Sequence, residues 1–219
     1  MSGKKQFNDE FMLNEYNAMK DFRELIVHEV AERVTLYLKM VSTAVTAIPA
    51  FSFLVVNSNQ SINYVYFCIL LIAVTALLWI FGILSFYRVI EGHISIIRYT
   101  RAINRARRYF FDKYKAIRPY ISMPVIDSVP SFGTYGFSNV KTINVGATSL
   151  LMFLNTLCFL LLEGLVVWCV SMLMSANNLL WILCIAVVII AAGYHIALRK
   201  EYAKRMQAAS QKSEVHFSS

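Results

Sequence analysis

Four long apolar runs, residues 34–56, 62–87, 145–174 and 179–198, govern what this chain can become. Each is near or above the ~20 apolar residues that cross a ~30 Å hydrocarbon core. They predict an all-α, polytopic membrane protein with four transmembrane helices, the third long enough to tilt or to project beyond the bilayer. Only 16% of the 219 residues are charged, against about 25% in an average soluble domain. Yet the formal net charge is +8. A chain this apolar and this basic must keep the two properties in separate places. That excludes a disordered tail protein, a secreted disulfide scaffold and an ordinary cytosolic enzyme.

The bases are distributed with complete asymmetry. Of the 21 Lys and Arg residues, six lie before or just inside the first run (the last being Lys39), ten lie between the second and third, and five follow the fourth. The connections 57–61 and 175–178 contain none. Under the positive-inside rule both termini and the long middle segment are expected in the cytoplasm, with the spans in the cell's inner (plasma) membrane. The domain plan is a cytoplasmic amphipathic helix (1–33), a transmembrane hairpin (34–87), a cytoplasmic basic helix and Pro/Gly loop (88–144), a second hairpin (145–198) and a cytoplasmic tail (199–219). About thirty mostly polar residues precede the first run and no small-residue cleavage site follows it, so that run is expected to stay as structure. The outer connections are as short as tight helix hairpins, too short for an extracellular binding domain. Cys68, Cys158, Cys169 and Cys184 all fall inside predicted spans without CxxC spacing, as small packing residues with reduced thiols would.

In the N-terminal segment Met12, Tyr16, Met19, Ile26 and Val30 recur four and three apart, with Arg23 interrupting. This predicts an amphipathic helix with a narrow stripe that runs into the first span without a break. Such a stripe suits a neighbouring subunit, the middle segment or the membrane surface. Protein packing is favoured, because seven acids outweigh five bases there. Glu24, His28 and Glu32 share a face at metal-binding spacing, but no further ligands stand out, and solvated helix charges explain them better.

The middle segment continues the second span as a helix over 88–118, with nine bases to two acids, Gly92 its one weak point and Pro119 its end. Arg98, Arg101, Arg105 and Arg108 follow 3-4-3 spacing and predict one continuous ridge. Three accounts of it stay open: positive-inside topology with salt bridges to the acidic N-terminal helix, an anionic cytosolic partner (a protein, a nucleotide signal or nucleic acid), and anionic lipid headgroups. Residues 119–141, with three prolines and two glycines, read as a loop.

Inside the predicted bilayer Glu163 is the most informative residue, since a carboxylate there costs about 2.5–3.5 kcal/mol unless protonated, paired or wet. Thr148, Ser149, Asn155 and Thr156 share its helical face. Thr35, Lys39, Ser42, Thr46 and Pro49 form a second polar seam in the first span, and His195 lies near the inner end of the fourth. Such stripes either line a permeation path between subunits or glue helices together. A path requires a homo-oligomer, because four helices cannot both enclose water and shield it. No phosphate loop, GxSxG elbow, HExxH or paired intramembrane aspartates occur, so no catalytic residue, cofactor or metal is expected and the chain is not read as an enzyme.

At 87–91 (Tyr-Arg-Val-Ile-Glu) and 103–110 (Ile-Asn-Arg-Ala-Arg-Arg-Tyr-Phe), with the helix from Glu15-Tyr16 to Arg33 ahead of the first hairpin, the chain resembles small uncharacterised prokaryotic four-span membrane proteins. Its layout is also similar to that of membrane effectors of bacterial antiphage defence systems. That likeness implies a cytoplasmic sensing surface and oligomers that permeabilise or depolarise the membrane. The leading expectation is an oligomeric channel-like or membrane-perturbing effector gated from the cytoplasm, with Glu163, Asn155 and Thr156 along the path and the Arg98–Arg108 ridge carrying the signal. The rival is a non-conducting membrane anchor or scaffold that docks a cytosolic protein, nucleotide or nucleic acid on the same ridge.

Overall fold

A computed structural model describes residues 2–57, 64–120, 146–173 and 177–212. It is all-helical over these residues. Helix α1 spans Ser2–Asn57, α2 Tyr64–Lys113, α3 Ala147–Leu173 and α4 Asn177–Lys212, and a short 3-10 turn covers Lys115–Tyr120. Three helical stretches are long and apolar enough to cross a membrane: Tyr66–Lys113, Thr148–Ser171 and Ile182–Ala209. The expected outer connection at 58–61, the loop beyond 120 and the end of the tail lie outside the described residues.

The expected continuity of the N-terminal helix with the first apolar run holds: α1 is one helix of 56 residues, Pro49 included. Proline removes one backbone donor, a loss that a long packed helix tolerates. The basic segment likewise continues α2, but the α-helix stops at Lys113 rather than at Arg118. The physical reason is Pro119, which has no N–H for a carbonyl four residues back, so the α-helical ladder does not run through it and the chain there tightens to 3-10. At the other end of the chain, Asn177 and Asn178 open α4 instead of closing a turn. The first turn of a helix has free N–H groups, and asparagine is at home there.

The helices form two compact units. One comprises Met1–Ala31, Ile90–Asn144 and Tyr202–Ser219, the other Glu32–Val89 and Val145–Glu201. The second unit holds five of the 21 bases and three of the 13 acids, so most of the charge belongs to the first.

In the charged unit the α1 stripe is the inward face. Between residues 10 and 33 only Met12, Tyr16, Met19, Arg23, Ile26 and Val30 are not exposed. Its partner is α2, running antiparallel. Asp9 meets Lys113, Tyr16 meets Arg107, Arg23 meets Thr100, and Val30 meets Gly92. The contacts recur every seven residues on α1, the repeat of a coiled-coil seam. The tail of α4 joins them, with Tyr202 hydroxyl 3.1 Å from His93 Nδ1 and Met206 buried.

In the apolar unit the core is small and the surface greasy. Tyr37, Phe86, Val89, Leu151, Met152, Cys158, Ala191 and Leu198 are buried, while Ile69, Leu77, Leu84, Phe153, Leu161, Ile185 and Ile189 are exposed. Large apolar side chains turned outward over such a surface mark a partner phase other than water.

Candidate functional site

Several polar groups of the apolar unit come together across its helices. Asn155 of α3, fully buried, donates from Nδ2 to the Tyr194 hydroxyl of α4 at 2.9 Å. Trp79 Nε1 of α2 donates to the same oxygen at 3.1 Å. One residue along α3, Thr156 donates to the Met152 carbonyl at 2.8 Å and lies 3.0 Å from His195 Nδ1. The Thr156 hydroxyl and His195 Nδ1 thus face each other, the donor between them being set by the imidazole tautomer. Tyr37 of α1, also fully buried, donates to Cys158 Sγ at 3.6 Å. Around this nest Trp79, Phe159 and Tyr194 form an aromatic cluster with centroids 4.6–6.2 Å apart.

Gly82 makes the convergence possible. A Cβ there would run into Asn155 Oδ1 and sit 2.6 Å from the Tyr37 hydroxyl and 2.8 Å from Asn155 Cγ. The hydrogen that glycine carries in that place therefore points at Asn155 Oδ1, which has no N–H or O–H partner. A Cα–H···O contact of this kind recurs at close helix crossings. Helices α1, α2 and α3 thus meet at this glycine, and Asn155 links them to Tyr194 of α4.

Of the five intramembrane residues read from sequence, Asn155 and Thr156 belong to this nest, Thr148 is buried, Ser149 is half-buried, and Glu163 stands apart. Glu163 lies eight residues beyond Asn155, about two helical turns. It is half-buried, and its Oε2 is sealed without a hydrogen-bond partner among the described residues. Sequence reasoning missed Tyr37, Trp79 and Tyr194. Their signal was position: a tyrosine or tryptophan several residues inside an apolar run, away from the interface belt, needs a partner for its polar atom.

The other polar seam, Thr35, Lys39, Ser42, Thr46 and Pro49, is exposed on α1. Thr46 caps the carbonyls of Ser42 and Thr43 at 3.1 and 3.0 Å, and Thr43 that of Lys39 at 2.8 Å. Glu24, His28 and Glu32 are exposed along one helix, and Glu24 pairs with Lys20 at 3.8 Å. Among the described residues no group of three or more His, Cys, Asp or Glu could hold a metal. The four cysteines are free thiols, two of them buried.

The basic segment is not one ridge. Arg98 is exposed, Arg101 is 1% exposed, and Arg105 and Arg108 are half-buried, with Arg108 paired to Asp112 at 3.1 Å. Helical spacing put the four on one stripe, but the packing of the charged unit closes over its middle. Neighbouring bases are committed to α1. Arg107 lies over the Tyr16 ring at 5.8 Å, and Arg23 of α1 donates to Thr100 at 3.2 Å. At the far end Asp9 pairs with Lys113 and accepts from Tyr114 and Tyr109. The Lys113 ammonium and then the Tyr114 hydroxyl hold the Asp9 carboxyl below the usual carboxylate range. Among the exposed bases, Arg118 stacks on Phe111 at 4.6 Å.

Among the described residues the protein is all-helical, with three helices long and apolar enough to span a membrane. Comparisons with protein-family models, curated proteins and solved structures find no match.

Proposed function

We propose that the chain is a four-span inner-membrane protein, its termini and charged unit cytoplasmic, that assembles with copies of itself into a channel-like, membrane-perturbing effector. The fourth span is the second half of α1, whose stripe Val34, Tyr37, Val41, Ala44 and Ile48 is less exposed than its neighbours. Tyr37 ties that stripe to α3. The effector reading, with a place in antiphage defence, follows the layout it resembles, and the charged unit is its proposed input.

One observation carries the conducting reading. Glu163 has a sealed oxygen with no hydrogen-bond partner among the described residues, whereas Asn155 Nδ2 and Thr156 are bonded across to α4. Helix glue uses its polar groups, and Glu163 is not so used. An unpaired ionisable residue in an apolar span is a mark of a transport path. We therefore keep Glu163 on the path and assign Asn155 and Thr156 to holding the helices.

The test is membrane conductance of purified oligomers in liposomes, wild type against Glu163→Gln. Conduction that the variant loses is expected. Silence from well-folded oligomers under every added cytosolic fraction overturns the reading. It would leave the anchor that docks a cytosolic partner on the basic segment, which the exposure of Arg98 favours.

A further inference from the structure

We propose that Glu163 is a proton-exchanging carboxylic acid within the bilayer, and that the ion this assembly passes is the proton. The inference rests on the conducting reading above and names its substrate.

Charge balance comes first. Within the apolar unit the bases are Arg33, Lys39, Arg88, Arg199 and Lys200, and the acids other than Glu163 are Glu32 and Glu201. All but Lys39 lie at residues where the chain enters or leaves the unit. Thr148, where the apolar stretch of α3 begins, is fifteen residues before Glu163, roughly 22 Å along the helix axis. Lys39 is set deeper, but it follows Tyr37 by two residues, about 200° around α1. Tyr37 faces α3 and Lys39 is exposed on the other side. No lysine or arginine is thereby left to neutralise Glu163. Besides the charged residues already named, the titratable groups on the elements of the unit are the Tyr37 phenol of α1, Tyr64, Tyr66, Tyr87 and the Cys68 thiol of α2, Cys158 and Cys169 of α3, and Cys184, Tyr194 and His195 of α4, none of them a fixed charge. A carboxylate without a counter-cation or hydrogen-bond donors does not persist in hydrocarbon. The neutral acid does.

Access comes second. Glu163 is half-exposed, and the next residue, Gly164, has nothing within 4 Å of where a Cβ would stand. The carboxyl thus borders an open strip of helix surface, reachable by a neighbouring copy, water or an apolar reagent. Three polar contacts of the unit run side chain to side chain, Asn155 to Tyr194, Trp79 to Tyr194 and Thr156 to His195. Hydroxyl and imidazole groups relay protons. They do not replace the hydration shell of a metal cation, which takes rings of carbonyls or fixed charges.

The experiment exploits the acid form. Dicyclohexylcarbodiimide partitions into bilayers and reacts with protonated carboxyls. The acid proton moves to one carbodiimide nitrogen while the carboxyl oxygen bonds to the central carbon, and the acyl group then shifts to nitrogen as a stable N-acylurea. Nothing leaves and nothing is oxidised. With the full chain in liposomes, peptide mass spectrometry is expected to find the adduct on Glu163 at neutral pH. Glu163→Asp keeps it and Glu163→Gln abolishes it. A pH-sensitive dye inside the vesicles is expected to report proton entry driven by a potassium diffusion potential, falling about tenfold or more on labelling or in Glu163→Gln. A folded wild type that takes no label overturns the proposal. Salt flux without proton flux overturns the proton and spares the conducting reading. Labelling with no flux of any kind, under every added cytosolic fraction, overturns both.

Discussion

The two units use one helix in opposite ways. In the charged unit α1 lays a stripe of mixed apolar, aromatic and basic residues on α2, and the acids and bases off that stripe stay wet. In the apolar unit the same helix brings Tyr37 into a buried polar nest and carries Leu36, Met40 and Val45 on the outside. Apart from the buried Arg101 and Asn104, polar groups in the first unit have water as an alternative partner, so each of those contacts adds little. In the second they have hydrocarbon or each other. The architecture therefore depends on a few exact fits in one unit and on many weak ones in the other.

The two glycines at helix crossings test this contrast most strongly. Gly82→Ala drives a methyl into Asn155 and the Tyr37 hydroxyl, groups held by other helices. Gly92→Ala meets the Val30 side chain on a two-helix seam. Overpacking costs about 1–3 kcal/mol and occasionally more, offset in each case by roughly 1 kcal/mol of helix propensity. Thermal unfolding in detergent is expected to place Gly82→Ala well below wild type and Gly92→Ala a smaller step below. Val30→Ala should partly restore Gly92→Ala by removing the methyl it meets. Gly164→Ala and Gly193→Ala, with nothing within 4 Å, should unfold no earlier than wild type. Equal losses at Gly82 and Gly164 would show that the nest does not constrain the bundle.

Much of this was legible in the sequence, and the remainder has a common cause. The α1 stripe, its continuity with the first apolar run and the helical extension of α2 follow from periodicity and from the absence of breakers, which are properties of a single helix. Arg101 shows the limit. Spacing places it on a stripe with Arg98 and Arg108, but whether a stripe is covered depends on the neighbouring helices, and here its middle is sealed. Gly82 looks like Gly164 and Gly193 in sequence, and only a crossing distinguishes it. What Tyr37 and Tyr194 do is set by partners distant in sequence, 121 residues away for Tyr37, and 39 and 115 for Tyr194.

A middle-sized effect is expected at Tyr194. Its hydroxyl accepts from both Asn155 and Trp79. Tyr194→Phe strands two donors while keeping the ring against Phe159. Hydrogen bonds between membrane helices average about 0.6 kcal/mol and reach about 1.7, and the expected loss lies toward the upper end because two are removed together. Asn155→Ala in the Tyr194→Phe background should then cost less than in wild type. Strict additivity in that double-mutant cycle would dissolve the network into independent contacts.

The smallest effect belongs to the clamp at Asp9, and its sign follows from the lowered carboxyl pKa. A carboxyl held down in the folded state by Lys113 and Tyr114 binds its proton less readily there than in the unfolded chain. Its contribution is therefore fully present above the ordinary Asp value of about 3.9 and is lost as pH falls through the lower folded value. Protonation leaves Lys113 unpaired and loosens the start of α1 on the end of α2 without touching the apolar unit. Hydrogen exchange, corrected for its intrinsic pH dependence, should speed up in the first two turns after Asp9 under acid while the α3 amides around Asn155 stay protected. Asp9→Asn should show the faster exchange already at neutral pH and add little on acidification. Acid-induced exposure that begins instead around Asn155 would reverse the contrast between the units, because the wet seam would then be outlasting the dry one.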